Sequence, residues 1–211
     1  MKTDDLIRAL AQDNTPGHGM GMPRALAVST GLLVSGGLFF GTMGLRAGLA
    51  TPAVALAVAI KLAITLSLAL AALALARRAV HPGQALGALK RLLALPVIVL
   101  GLALVYDLSR YGFENAGARL FGSNYWRCML AIPLLSLPLL AGLLYALSGG
   151  APTDIDKTGL YAGLGAAGFG ATLYALHCTD DSPLFILAWY GIAAAVVALM
   201  GRWAARRFLR W

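Results

Sequence analysis

Six long apolar runs divide the chain, and polar or glycine- and proline-rich stretches separate them. They cover about 24–45, 53–76, 92–106, 128–147, 158–176 and 184–201. A helix of roughly 20 apolar residues is long enough to cross a hydrocarbon core. In lipid a backbone must also satisfy its own hydrogen bonds, which favours helix. The pattern predicts an all-α polytopic membrane protein, a six-transmembrane-helix bundle. The third run is the shortest and holds Pro96, so reduced tilt or a kink is expected there. The fourth holds Pro133 and Pro138, whose freed carbonyls neighbouring helices must satisfy.

Composition strengthens this reading. Of 211 residues, 59% are hydrophobic and 12% charged, with mean hydropathy +0.76. A soluble domain carries about a quarter charged residues. Net charge is +8 and pI near 9.9, but no basic stripe is interleaved with stacking aromatics, which excludes direct nucleic-acid binding. The basic residues instead gather at membrane edges and set orientation. With a cytoplasmic N-terminus, the inside holds Lys2, Arg8, Arg24, Arg77, Arg78, Lys90, Arg91, Lys157, Arg202, Arg206, Arg207 and Arg210, twelve in all. The outside holds four: Arg46, Arg110, Arg119 and Arg127. An even number of spans then returns the C-terminus to the cytoplasm. Aromatics agree: Tyr106, Tyr111, Tyr125 and Trp126 cluster at one interface, Trp203 and Trp211 at the other.

The acidic N-terminus lacks the basic region of a cleaved signal peptide, so none is expected. Three segments follow: an arm and tether over 1–23, a membrane domain over 24–202 and a basic tail over 203–211. Small residues crowd the first run (Gly31, Ser35, Gly36, Gly37, Gly41) and the fifth (Gly159, Gly163, Ala166, Ala167, Gly170). In lipid such residues let helices approach closely. No internal repeat of the kind found in secondary transporters stands out.

Candidate chemistry is sparse. In the arm, Thr3 is placed to cap a short amphipathic helix with Asp4 and Asp5 in its first turn, where the helix dipole favours carboxylates. Leu6, Ile7 and Leu10 share one face, which suits folding against a partner or the membrane surface. Cys128 and Cys178 fall at the outer edge by the same topology. In an oxidising compartment they are candidates for a disulfide, static or switching. They are also candidate ligands for a soft metal ion, with His177 and nearby carboxylates as further donors. Lys61, inside the second run, is costly at that depth and predicts an ion pair with Asp107, Glu114 or the loop end. His18 and His81 read as solvated histidines of cytoplasmic stretches. No HExxH, phosphate-binding glycine loop or Ser-His-Asp set is present, which argues against an enzyme.

Two stretches are more specific. Met1-Lys2-Thr3-Asp4-Asp5-Leu6-Ile7 at the start resembles the opening of the NrsF family. So does Leu176-His177-Cys178-Thr179-Asp180-Asp181-Ser182-Pro183-Leu184-Phe185, followed by Trp189-Tyr190-Gly191. Lys61 in its Lys-Leu-Ala setting, Cys128 and the span layout match as well. The resemblance implies a six-span anti-sigma factor of the bacterial inner membrane, with both termini cytoplasmic and an extracytoplasmic-function (ECF) sigma factor as partner. It assigns sigma-factor capture to Asp4, Asp5, Leu6, Ile7 and Leu10. Sensing of heavy metals or oxidants falls to Cys128 and Cys178, with no resident cofactor beyond a transient heavy-metal ion there. The rival reading is a small membrane transporter using Lys61 and the outer-facing acids Asp180 and Asp181. A third is a scaffold stapled by one disulfide.

Overall fold

A computed structural model describes residues 21–209 apart from 82, 84 and 85. The arm residues Asp4, Asp5, Leu6, Ile7 and Leu10, and with them His18, lie outside the described residues. The described chain contains helices and no strand. They are α1 (Gly21–Thr42), α2 (Pro52–Ala79), α3 (Gly87–Lys90), α4 (Ala94–Tyr111), α5 (Ala116–Phe121), α6 (Tyr125–Leu147), α7 (Ile155–Ala175), α8 (Pro183–Phe185) and α9 (Gly191–Phe208). A 3-10 turn, Arg91–Leu93, joins α3 to α4, and a π turn, Ile186–Tyr190, joins α8 to α9.

Five segments among the described residues are long and apolar enough to cross a membrane: Met22–Thr42, Pro52–Ala79, Gly87–Tyr111, Ala116–Leu147 and Pro183–Phe208. The sixth predicted span is α7, a helix of 21 residues that falls short of their apolarity. Its place in the bundle supplies the reason. It packs against α9, α2 and α6, so glycine and alanine line it where a lipid-facing helix would carry leucine. Burying a small-residue helix among larger ones is how close packing is achieved in lipid.

The approaches are tight. A Cβ at Gly163 would stand 2.6 Å from Ala198 Cα, and one at Gly168 would stand 2.6 Å from Ala69 N. On α1, Gly31, Ser35 and Phe39 form one buried stripe at i, i+4 and i+8. A Cβ at Gly31 would meet Pro138 O at 2.7 Å, and one at Gly142 would meet Ala27 O at 2.5 Å. Thus α1 and α6 lie backbone to backbone. Gly36, Gly37 and Gly41 have nothing within 4 Å of a built Cβ. They lie off that stripe, so the packing role expected of them is confined to their neighbours.

The third run is longer than expected. With the turn leading into it, helix continues over Gly87–Tyr111, 25 residues. Pro96 is the third residue of α4, just past the 3-10 turn, so its missing amide falls where the helical hydrogen-bond ladder is already irregular. The irregularity is the 3-10 turn before it. Pro133 and Pro138 sit inside α6, which runs through them for 23 residues. Nearby, the Ser136 hydroxyl donates to Ile132 O at 2.6 Å.

At the end where the described chain starts and stops, Ala151 N donates to Val80 O at 3.0 Å. Asp156 pairs with Arg202 at 2.8 Å and with Arg206 at 2.5 Å, tying α7 to α9. Asp154 caps α7, accepting from Lys157 N at 2.9 Å and pairing with its ammonium at 2.6 Å. The hydrogen bond from the Lys157 side chain holds the Asp154 carboxyl below its ordinary value.

Replacing Gly163 by Val drives a side chain into the α9 backbone and is expected to cost at least about 2 kcal/mol. Gly37→Ala fills open space and is expected to leave stability unchanged or slightly raised. Denaturation of both variants in detergent micelles checks this.

Candidate functional site at the cysteine end

The turn after α7 organises the opposite end of the bundle. Cys178 N donates to Tyr174 O at 2.9 Å, so the chain winds once more past Ala175 and turns Cys178 inward. Cys178 is 2% exposed and Cys128 0%. Both are free thiols in one buried cluster with Phe39, Ile64, Tyr174, Phe185 and Tyr190. The two predicted sensing residues are therefore brought together, from α6 and from the α7–α8 turn.

Three side chains of this turn, His177, Asp180 and Asp181, reach other segments, while Ser182 caps the helix that follows. The Asp180 carboxylate accepts from Ser123 N at 2.9 Å and Asn124 N at 3.1 Å, the start of α6, one turn before Cys128. There it meets the positive end of the helix dipole. Ser182 accepts from Leu184 N at 3.3 Å, and Pro183 opens α8. His177 Nδ1 lies 3.2 Å from Gly44 O, in the α1–α2 loop. Further along, Trp189 Nε1 donates to Leu120 O at 2.8 Å, and its ring lies 5.0 Å from that of Tyr125.

At the centre stands Lys61, fully buried. Its ammonium pairs with Asp181 at 2.6 Å and donates to the Cys178 carbonyl at 3.0 Å. Arg46 Nη1 reaches the same two acceptors, at 2.8 Å and 3.0 Å. One carboxylate and one carbonyl thus serve two cations. This corrects the partner expected for Lys61. Asp107 pairs with Arg119 at 2.5 Å instead, because Lys61 faces the bundle interior and the end of α7. For the rival transporter residues, Asp181 is engaged by Lys61 and Arg46, and Asp180 by backbone amides.

Among the described residues no group of three or more His, Cys, Asp or Glu could hold a metal ion. His177 is turned to Gly44 and is not gathered with the two thiols into a three-ligand set.

Comparison with known proteins completes the picture. Residues 10–211 match the family described as NrsF, negative regulator of sigma F. The chain belongs to the NrsF family. Its NrsF relatives include an anti-sigma-F factor of Caulobacter vibrioides, 35% identical over 220 residues, with both chains covered in full. A probable anti-sigma-F factor of Azospira oryzae is 27% identical over 213 residues, again covering both chains fully. No solved structure matches. NrsF proteins are negative regulators, not a class of enzymes.

Sequence reasoning missed Arg46 and Tyr190 as members of this cluster. Arg46 registered only as one outer charge among four, although a basic residue just past a span end was a signal. Tyr190 lay within the Trp189-Tyr190-Gly191 match, and it places a buried hydroxyl against the Cys178 thiol in that cluster.

Asp181→Asn strips two cations of their shared carboxylate and is expected to cost about 3 kcal/mol. Lys61→Met leaves Asp181 on Arg46 and fills a similar volume, so a loss below about 1.5 kcal/mol is expected. Equilibrium unfolding in micelles ranks the two. N-ethylmaleimide is expected to alkylate both thiols at least about a hundredfold more slowly in the native than in the denatured protein, followed by mass spectrometry.

Proposed function

We propose that this protein is a transmembrane anti-sigma factor of the bacterial inner membrane. Its N-terminal arm holds an ECF sigma factor at the cytoplasmic face, and a periplasmic-side thiol pair controls release. Asp4 and Asp5 meet basic residues of the sigma factor, while Leu6, Ile7 and Leu10 fill an apolar groove. Membership of a family of negative regulators of sigma F supports the regulatory half. The basic-residue asymmetry supports the orientation.

The observation that carries the sensing half is that Cys128 and Cys178 share one buried cluster. An oxidant removes two electrons and two protons from the thiols, leaving one S–S bond. A soft divalent metal ion displaces the two protons and takes both thiolates. Either event changes the packing of α6 against the α7–α8 turn. The route onward is short: α1 lies against α6 at Gly31 and Gly142, and the arm precedes α1. A ligand that discriminates two packings by about 3 kcal/mol shifts their ratio more than a hundredfold.

Deleting residues 1–12 is expected to switch on a sigma-dependent promoter constitutively; a silent promoter supports the transporter reading instead. Cys128→Ser and Cys178→Ser are each expected to abolish induction by cadmium or hydrogen peroxide at unchanged protein abundance. A normal response rejects the sensor role, and lost abundance points to a structural pair.

A further inference from the structure

A cavity of about 310 Å³ opens at the cysteine end, between the α1–α2 loop, the start of α6 and the α7–α8 turn. Arg46, Asn124, Arg127, His177 and Thr179 give it a polar lining beside Cys178, and no Asp or Glu lines it. Around it three cations, Lys61, Arg46 and Arg127, stand against two carboxylates, Asp180 and Asp181, which leaves one positive charge in excess. Lys61 and Arg46 share the single carboxylate of Asp181. Asp180 is directed at the α6 amides. Arg127 lies 5.3 Å over the Trp126 ring and pairs with no carboxylate among the described residues.

Arg46 adds an independent sign. Its side chain is 9% exposed, and its buried Nε has no hydrogen-bond partner among the described residues. A guanidinium with spare donors suits a planar or tetrahedral oxyanion, to which it donates in parallel. His177 donates from Nδ1 to the Gly44 carbonyl, which leaves Nε2 of the neutral ring an acceptor, so the donors for an anion are the two arginines.

We propose that this cavity binds an oxyanion of the sulfate or phosphate type, clamped between Arg46 and Arg127. The anion supplies the negative charge that the surrounding side chains lack. Its source is either a free inorganic ion or the phosphate of a lipid headgroup, because the cavity lies at the edge where the apolar helices end. Arg46 also holds the Cys178 carbonyl, so an anion drawing on Arg46 bears on the loop that carries the thiol.

The test uses the full chain in lauryl maltoside and isothermal titration calorimetry with two probes. Sodium sulfate is titrated against sodium chloride of equal ionic strength, and dihexanoyl-phosphatidylglycerol against dihexanoyl-phosphatidylcholine. Saturable binding of sulfate marks a free ion as the source, and binding of the anionic lipid alone marks a headgroup. In either case Arg127→Gln is expected to weaken binding at least about tenfold, and Arg127→Lys by less. Arg127 is exposed and outside the ion-pair cluster, so the melting temperature of both variants should stay within about 2 °C of the parent. Absence of saturable binding by either probe overturns the proposal. So does binding that Arg127→Gln leaves unchanged.

Discussion

A buried ammonium must bring its counter-charge with it, and in this protein that requirement falls on Lys61. Desolvating a charge costs several kcal/mol, which only close partners offset. Asp181 and the Cys178 carbonyl are those partners, and both belong to the turn after α7. The pair therefore fixes α2 against the α7–α8 turn. Such a pair adds little net stability over an apolar substitute, whereas breaking it is expensive. Its physical effect is registry. Arg46 extends the same registry to the α1–α2 loop, and Asp180 extends it to α6. A single short turn thereby orients four long helices at one end of the bundle.

The two ends of the molecule are built on different principles. At the cysteine end, side-chain charges and backbone carbonyls lock loops together. Through the middle, glycine and alanine remove side chains so that helix backbones meet directly, most closely between α7 and its neighbours and between α1 and α6. A close-packed interface of this kind has few intermediate arrangements. Displacement of one helix is passed to its neighbour rather than absorbed.

Much of this was legible in the sequence, and the physics explains which parts. Helix positions followed from hydropathy, because lipid imposes both length and apolarity. The parity of the spans placed Cys128 and Cys178 at one end. The third helix was underestimated at both ends, because Lys90 and Arg91 before its apolar run and Asp107 and Arg110 after it interrupt the hydropathy while the backbone stays helical. The partner of Lys61 was not legible, since it lies 120 residues away and depends on which face of α2 turns inward. For the same reason spacing could not separate the packed Gly31 from the open Gly37. His177 stood beside Cys178 in sequence, but the turn directs it to another loop.

The first long helix begins at Gly21, only nine Cα steps after residue 12. Fully extended, that stretch spans about 30 Å. In the proposed arrangement, whatever the leading dozen residues hold is kept within one small-protein diameter of the first helix. A molecule that the arm lets go is linked to nothing and diffuses away, so the short lead restrains only what is still held. Escape then requires that the grip itself be spoiled, because a longer lead would not suffice.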